Sequence, residues 1–282
     1  MPSKKKNHTV QESLIKNWLT EKPNGESGVF VYDATKGRSY FSRYGGKSRF
    51  SFASRKDLYV LEYDGQRRTE LEDWFAGLES TFIKGIKRFL QHEEQAIFQH
   101  QEELDKFILA LVGYRHRDQL SLSKNLELIK SDHSIRERLT ENRNLSDKQI
   151  LLENTVNAIN ASAVDFGNRI HIVHIRSRDE EFILGDRSYL EDIVDDFSFF
   201  TISPNSAIAF KPTQESSYYE TIECDASLVK SINQAIAANS VSWIVSSKEE
   251  LTTRYQPDMN NLGENDSVFI ENKLPIKGLR YK

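Results

Sequence analysis

The chain has 282 residues, of which 38% are hydrophobic and 11% aromatic, a composition that supports a folded core and excludes an intrinsically disordered chain. Its formal net charge of -4 provides no global positive field that would hold duplex DNA non-specifically. The single cysteine, Cys224, excludes an intramolecular disulfide and fits a reducing compartment.

Neither a secretion signal nor a membrane-spanning segment is predicted. Lys4, Lys5 and Lys6 precede a polar stretch instead of the apolar run that a signal peptide carries. The longest strongly apolar run, 107–112, is much shorter than the roughly 20 residues that cross a bilayer. We therefore expect a soluble, cytoplasmic protein without a membrane partner.

The N-terminal region has the pattern of a short helix followed by a hairpin. Residues 8–19 suit a short helix, and Pro23 and Gly25 predict a turn after it. The β-branched and aromatic run 29–32 predicts a strand, with 39–41 as its hairpin partner. A further strand is predicted at 58–61.

Helical periodicity dominates the middle of the chain. An apolar stripe at helical spacing predicts a long helix from Leu71 to Leu90, and a second apolar face starting at Leu104 predicts another helix. The polar segment 120–163 is predicted to be helical in pieces, with Ser146 as a cap.

The C-terminal half has strand signals of its own. Segments 169–175 and 182–184 are predicted to pair as strands around a charged turn. The remaining predictions, in chain order, are a helix at 189–197, strands at 199–202 and 207–210, a helix at 226–238, a strand at 242–245 and a loop-rich tail beyond 258.

Because helices and strands segregate along the chain, the sequence predicts an α+β fold. We expect central long helices packed with a small N-terminal antiparallel sheet and a second C-terminal sheet. We treat residues 1–282 as one intertwined domain, with a sub-boundary near residue 165 as the alternative.

The acidic series Glu191, Asp192, Asp195 and Asp196 falls opposite the apolar positions of the helix predicted at 189–197, so we expect a solvated face and no bound metal. The chain also has no glycine-rich phosphate loop, dinucleotide fingerprint, paired cysteine motif, metalloprotease motif or nucleophile elbow. No cofactor is predicted.

Short pieces distributed along most of the chain resemble the bacterial domain-of-unknown-function 4238 family. The pieces are His8-x-Val10 followed by Leu14, Ile15 and Trp18; Asp57-Leu58-Tyr59; Leu71-Glu72; Leu78-Glu79; Arg115; Phe182-Ile183-Leu184-Gly185-Asp186; Ser203-Pro204; Ile232-Asn233; and Trp243-Ile244-Val245. The chain departs from the family where Gln11 replaces the usual proline. The resemblance implies a bacterial, intracellular protein but no particular activity.

Three charged residues need explaining because helical projection places them on or near apolar faces. Glu79 falls within the stripe of the first long helix, Glu72 lies near its edge, and Arg115 lies on the apolar face of the second helix. Buried charges require opposite charges or hydrogen bonds. Arg115 is therefore predicted either to pair with Glu79 or Glu72 as a structural ion pair, or to bind phosphate or carboxylate in a cleft.

Five residues complete the candidate set that includes Arg115. His8 and His116 are candidates for proton transfer, since histidine titrates near neutrality, and Asp186 follows a predicted strand at a loop exit, where it is either a catalytic carboxylate or a turn residue. Arg117 and Asn233 join Glu72 and Glu79 as substrate-binding or structural residues.

The spacing Arg169-x-x-x-x-His174 matches a loose helical ribonuclease pattern, but its surroundings predict a buried strand, so we expect no such chemistry there.

Two functions remain open from the sequence. One is a metal-independent enzyme acting on phosphodiesters or nucleic acid, RNA or DNA, in which Arg115 binds phosphate, His8 or His116 transfers protons and Asp186 orients one of them. The other is a non-catalytic binding or regulatory module with a protein partner, in a toxin or phage-defence system. The sequence does not predict the oligomeric state.

Overall fold

A computed structural model describes residues 7–8, 10–45, 50–55, 59, 61–63, 66–91, 98, 100–116, 119–140, 145–167, 169–194 and 196–257. The chain divides into two compact units, each built from several stretches. The first unit takes 1–9, 54–85 and 98–168, and the second takes 10–53, 86–97 and 169–282. The single-domain assignment stays a prediction.

The described chain contains helices and strands in proportions that confirm the α+β class. The helices are α1 (Glu12–Ile15), α2 (Glu70–Gln91), α3 (Gln101–His116), α4 (Gln119–Ser131), α5 (His133–Thr140), α6 (Asp147–Asp165), α7 (Ala226–Asn239) and α8 (Glu249–Arg254), with 3-10 turns at Lys16–Trp18 and Ser51–Ala53. The strands are β1 (Asn7–His8), β2 (Thr20–Glu21), β3 (Ser27–Asp33), β4 (Arg38–Arg43), β5 (Ser54–Arg55), β6 (Leu61–Tyr63), β7 (Gln66–Arg68), β8 (Ile170–Ser177), β9 (Leu184–Gly185), β10 (Tyr189–Val194), β11 (Phe197–Ser203), β12 (Ser206–Pro212), β13 (Tyr218–Cys224) and β14 (Trp243–Ser246).

In the first unit, α2 and α3 pack through aromatic rings. The ring of Phe82 lies 5.8 Å from that of Phe107 in a stacked arrangement and 4.6 Å from that of Tyr114. A Cβ atom at Gly85 would lie 2.3 Å from a ring carbon of Phe107, so glycine permits the close approach. The two predicted apolar stripes therefore meet each other.

The predicted cap of α6 is confirmed as a capping box. The Ser146 hydroxyl accepts from the Gln149 amide, and the Gln149 side chain accepts from the Ser146 amide. Two of the amide groups that a helix start leaves without partners are thereby satisfied.

The second unit contains two five-stranded sheets. The first, which we call the mixed sheet, has the order β10-β11-β12-β8-β13, with antiparallel neighbours except for parallel β8 and β13. In the second sheet, β3 pairs with β4 along its length and with β2 and β14 near its two ends, and β9 pairs with β14. The predicted hairpin at 29–41 is confirmed, and two strands from the C-terminal half join it.

Helix α7 supplies the apolar side chains that pack with one face of the mixed sheet. The core there combines the α7 residues Leu228, Val229, Ile232, Ala235 and Ile236 with the strand residues Val173, Ile175, Leu190, Phe197, Phe199, Ala207, Ala209 and Ile222.

Several local predictions were wrong. Residues 189–194 form strand β10, not a helix, because they pair with β11, with a register irregularity between Leu190 and Val194. Of the acidic series, Glu191 and Asp192 lie in β10, Asp196 lies in the following turn with φ at 64°, and Asp195 is outside the described residues. His8 belongs to β1, and only Glu12–Ile15 of the predicted N-terminal helix is α-helical.

The segments 169–175 and 182–184 do not pair, since β8 and β9 belong to different sheets. Strand β6 starts at Leu61, and Leu58 lies outside the described residues, as does the tail beyond 257. Of the helices that the structure describes, none is long and apolar enough to cross a membrane.

Candidate active site

A group of polar residues lies at one end of the mixed sheet, on the same face as the core with α7. Side chains alternate between faces along a strand, so residues two apart share a face. Along this face the residues change from apolar to polar at the same end in three strands: from Val173 to His171 in β8, from Ala209 to Lys211 in β12, and from Ile222 to Glu220 and Tyr218 in β13. We call His171, Lys211, Tyr218 and Glu220 the sheet-end cluster.

Strand register fixes the cluster. Lys211 and Tyr218 are the Cα partners of His171 on its two sides. The Nε2 atom of His171 lies 2.9 Å from Oε1 of Glu220, and these side chains are only 13% and 11% exposed. Tyr218, by contrast, is 50% exposed. The cluster therefore combines a sheltered histidine–carboxylate contact with an aromatic ring open to solvent.

Aromatic rings hold the side chains of His171 and Lys211 in place. The His171 ring lies 5.0 Å from the ring of Tyr218 and 5.1 Å from that of Phe197. The Lys211 ammonium stands 4.4 Å from the centre of the Phe197 ring, within the range of a cation–π interaction. Phe197 is fully buried, so it provides a rigid base for both.

Burial lowers the pKa of the His171 imidazole below its ordinary value of 6.5, and the charge of Lys211 lowers it further, against the raising effect of Glu220. At neutral pH His171 is therefore neutral, and its contact with Glu220 is a hydrogen bond in which Nε2–H donates to the carboxylate. That tautomer leaves the Nδ1 lone pair available to accept a proton, as in a general base.

The first unit holds most of the residues predicted from the sequence. Arg115 and His116 end α3 and are half-buried, and His116 Nε2 lies 2.7 Å from the hydroxyl of Ser162 on α6. Glu72 is 5% exposed in the first turn of α2, where the helix dipole favours a carboxylate, and Glu79 is half-buried. Pairing of Arg115 with either glutamate stays a prediction.

Two of the predicted residues fall wholly or partly outside the described structure. His8 pairs with Ser54 between β1 and β5, but its side chain is outside the described part. Arg117 lies outside the described residues altogether.

Asp186 and Asn233 belong to the second unit, and both bind backbone groups. The two carboxylate oxygens of Asp186 accept from the amides of Val241, at 2.9 Å, and Ser242, at 2.8 Å. The fully buried Asn233 accepts from the Ile183 amide and donates to the Glu181 carbonyl. These contacts satisfy buried backbone around β9.

Residues 6–250 match the family model described as Protein of unknown function (DUF4238). The chain belongs to this family. The match confirms the resemblance predicted from the sequence. Comparisons with curated proteins and with solved structures gave no match.

Several of the DUF4238 pieces in the second unit meet at the short segment 182–186. Trp18 donates its indole N–H to the carbonyl of Phe182 at 2.9 Å, and the Phe182 amide donates to the carbonyl of Pro204 at 2.7 Å. Leu184 and Gly185 pair with Val245 and Ile244 of β14. Pieces that are far apart in the sequence thus build one structural junction.

Sequence reasoning missed the sheet-end cluster. Strand β13 was not predicted, and only strand register brings Lys211, Glu220 and Tyr218 to His171. One signal in the sequence could have indicated the cluster. His171 lies two residues before the apolar Val173 and Ile175 on the same strand face, so a polar residue stands where an apolar one is expected.

The Arg169–His174 pattern lies in and beside a strand, as predicted. Arg169 is exposed and donates to the carbonyl of Gln214 at 2.8 Å. His174 is 4% exposed with Nε2 3.3 Å from the Ser206 hydroxyl, and burial lowers its pKa to about 4. In the described part of the chain, no three His, Cys, Asp or Glu side chains converge as ligands of a metal ion would.

Proposed function

We propose that this protein is a metal-independent phosphodiesterase that acts on nucleic acid, with the sheet-end cluster as its active site. The carrying observation is the 2.9 Å contact between His171 and Glu220 beside the cation of Lys211. The proposal includes a bacterial, cytoplasmic setting and an RNA or DNA substrate.

The roles follow from side-chain chemistry. At Nδ1, His171 accepts the proton of the attacking water, or of the 2′-hydroxyl in RNA, as its oxygen bonds to phosphorus. The P–O bond to the leaving alkoxide breaks, and the imidazolium returns the proton to that alkoxide. Glu220 holds the imidazole in the required tautomer and stabilises the imidazolium. Lys211 balances the charge that develops on the phosphoryl oxygens. The exposed ring of Tyr218 offers a surface on which a base of the substrate stacks. The sequence predicted the same roles for other residues. Proton transfer, predicted for His8 or His116, is now proposed for His171. Orientation of the histidine passes from Asp186 to Glu220, and phosphate binding passes from Arg115 to Lys211.

Cleavage of fluorescent single-stranded RNA and DNA by the purified protein tests this proposal. We expect His171→Ala and Lys211→Ala each to lower cleavage by about 10²-fold or more, the typical contribution of a base or of one charge-stabilising group. His133→Ala is the matched control, because His133 is a surface histidine of α5 whose side chain is 82% exposed. Cleavage that His171→Ala leaves intact would overturn the assignment.

A binding or regulatory module in a toxin or phage-defence system is the second candidate. It is supported by Asp186 and Asn233, whose side chains bind backbone instead of facing a ligand. If the intact protein binds oligonucleotides or a protein partner without cleaving any substrate, this second function is favoured.

A further inference from the structure

A solvent-open cavity of about 340 Å³ lies in the second unit between α7 and α8, lined by the exposed residues Lys230, Gln234 and Arg254 and by the buried Tyr255. Its volume is at the small end of the range for small-molecule sites. Lys230 and Gln234 are four residues apart on α7, so their side chains lie on the same helix face. Arg254 and Tyr255 come from the end of α8.

Two cations from different helices line this cavity. Among the described residues, none forms an ion pair or hydrogen bond with the Lys230 ammonium. Arg254 donates one bond to Glu180 at 3.1 Å, and its guanidinium lies 6.0 Å from the ring centre of Tyr255. Tyr255 is 5% exposed and forms part of a fixed, aromatic wall.

We infer that this cavity binds a small organic phosphate, with Lys230 and Arg254 on the phosphoryl group and Gln234 as a further hydrogen-bond donor. A phosphate monoester carries a charge of about -1.5 to -2 at neutral pH, which suits a pocket lined by two cations. The fork of the guanidinium matches phosphate geometry, and the ammonium binds phosphate as a point charge. Tyr255 and the alkyl stems of the two cations contact the organic part.

Glu180 is the internal competitor of this ligand. Its carboxylate is held at Arg254 and is the group that the phosphate must displace or share. Removal of the Glu180 charge therefore strengthens phosphate binding, whereas removal of the Lys230 charge weakens it.

Titration calorimetry with adenosine 5′-monophosphate and with inorganic phosphate tests this inference. All variants carry Lys211→Ala, so that the sheet-end cluster does not contribute a site and the outcome is independent of the proposed nuclease activity. We expect Lys230→Ala to weaken binding by about tenfold, the loss of one charge-assisted contact, and Glu180→Gln to tighten it.

Two controls repeat the same charge changes in the first unit, outside the cavity. Lys106→Ala removes an exposed cation of α3 that pairs with Glu102, and Glu102→Gln removes the carboxylate of the same pair. Both are expected to leave phosphate binding within twofold. Equal effects of Lys230→Ala and Lys106→Ala, or no measurable binding of either probe, would overturn the inference.

Discussion

His171 and His174 lie on the same strand, but their side chains point to opposite faces because the two residues are three positions apart, an odd number. His171 contacts the Glu220 carboxylate at the sheet-end cluster. His174 is buried, and the positive charge of Arg176 further disfavours its protonated form. For both imidazoles burial is the largest influence and lowers the pKa. Of the two histidines, His171 is therefore the one proposed as the base.

The titration of His171 depends on its two charged neighbours. We expect an imidazole pKa below 6.5 in the folded protein, with the competent, neutral base present above that pKa and lost as the pH falls through it. Glu220→Gln removes the carboxylate charge that raises the His171 pKa, so this pKa falls further. Lys211→Met removes the positive charge that lowers the His171 pKa, so this pKa rises. Histidine ring signals followed by NMR across pH 4 to 8 measure these shifts, and unchanged signals in Glu220→Gln would contradict them.

His174 makes the stability of the protein depend on pH. Its folded pKa of about 4 lies below the unfolded value of 6.5, so the unfolded chain binds the proton more tightly between these values. Stability is therefore complete above pH 6.5 and is lost as the pH falls toward 4, by about 2 kcal/mol at pH 5 from this group. Urea unfolding at pH 7.5 and pH 5 should show a smaller loss in His174→Gln than in the wild type, while His133→Gln should behave like the wild type.

Elements with many local apolar contacts were predictable from the sequence, and elements that depend on distant pairing were not. The apolar residues from Leu71 to Leu90 recur at helical spacing and fall on one helix face, so α2 was predictable from the local sequence alone. Strand β10 was mistaken for a helix because its irregular pairing with β11 is invisible in the residue pattern. The two-residue strand β9 is defined by its pairing with β14, which lies about sixty residues later in the chain.

The contact between β9 and α7 depends on the absence of a side chain at Gly185. A Cβ atom there would lie 2.1 Å from the Ser240 hydroxyl and 3.0 Å from Cγ2 of Ile236. We expect Gly185→Ala to destabilise the protein by about 1–3 kcal/mol through overpacking, measured from the urea midpoint.

Two further variants check the cause of that loss. Adding Ser240→Ala to Gly185→Ala removes the closer atom and should recover part of the stability. Gly77→Ala, which has open space around its Cβ position on α2, should be neutral or stabilising. A Gly185→Ala protein as stable as the wild type would contradict the packing argument.

At the scale of the whole molecule, the sequence identified the family and the α+β class but not the candidate active site. The family piece at 182–186 contacts two other family pieces in the fold, Trp18 and strand β14. The sheet-end cluster draws one or two residues from each of three strands, and no spacing in the chain reveals which strands are neighbours. Its residues become neighbours only in the folded sheet.

The net charge of -4 sets the salt dependence expected of nucleic-acid binding. Without a positive global field, binding rests on a few local cations, so the slope of log K against log salt concentration should be shallow. Lys211→Ala should reduce the slope by about 1 for a direct phosphate contact. Fluorescence anisotropy with a single-stranded oligonucleotide at several salt concentrations measures it, and Lys106→Ala, on the surface of α3, is the control.

Strand β13 is the last strand of the mixed sheet within the described residues, and it carries both Glu220 and Tyr218. A terminal strand has a neighbour on one side only, and most of its side chains here are half-buried or exposed, so its opening requires less free energy than opening of β8. Gentle warming would therefore separate Glu220 from His171 before the core melts. We expect β13 amides to exchange with deuterium faster than those of β8, and the proposed cleavage activity to be lost at temperatures where the circular dichroism of the protein is still native.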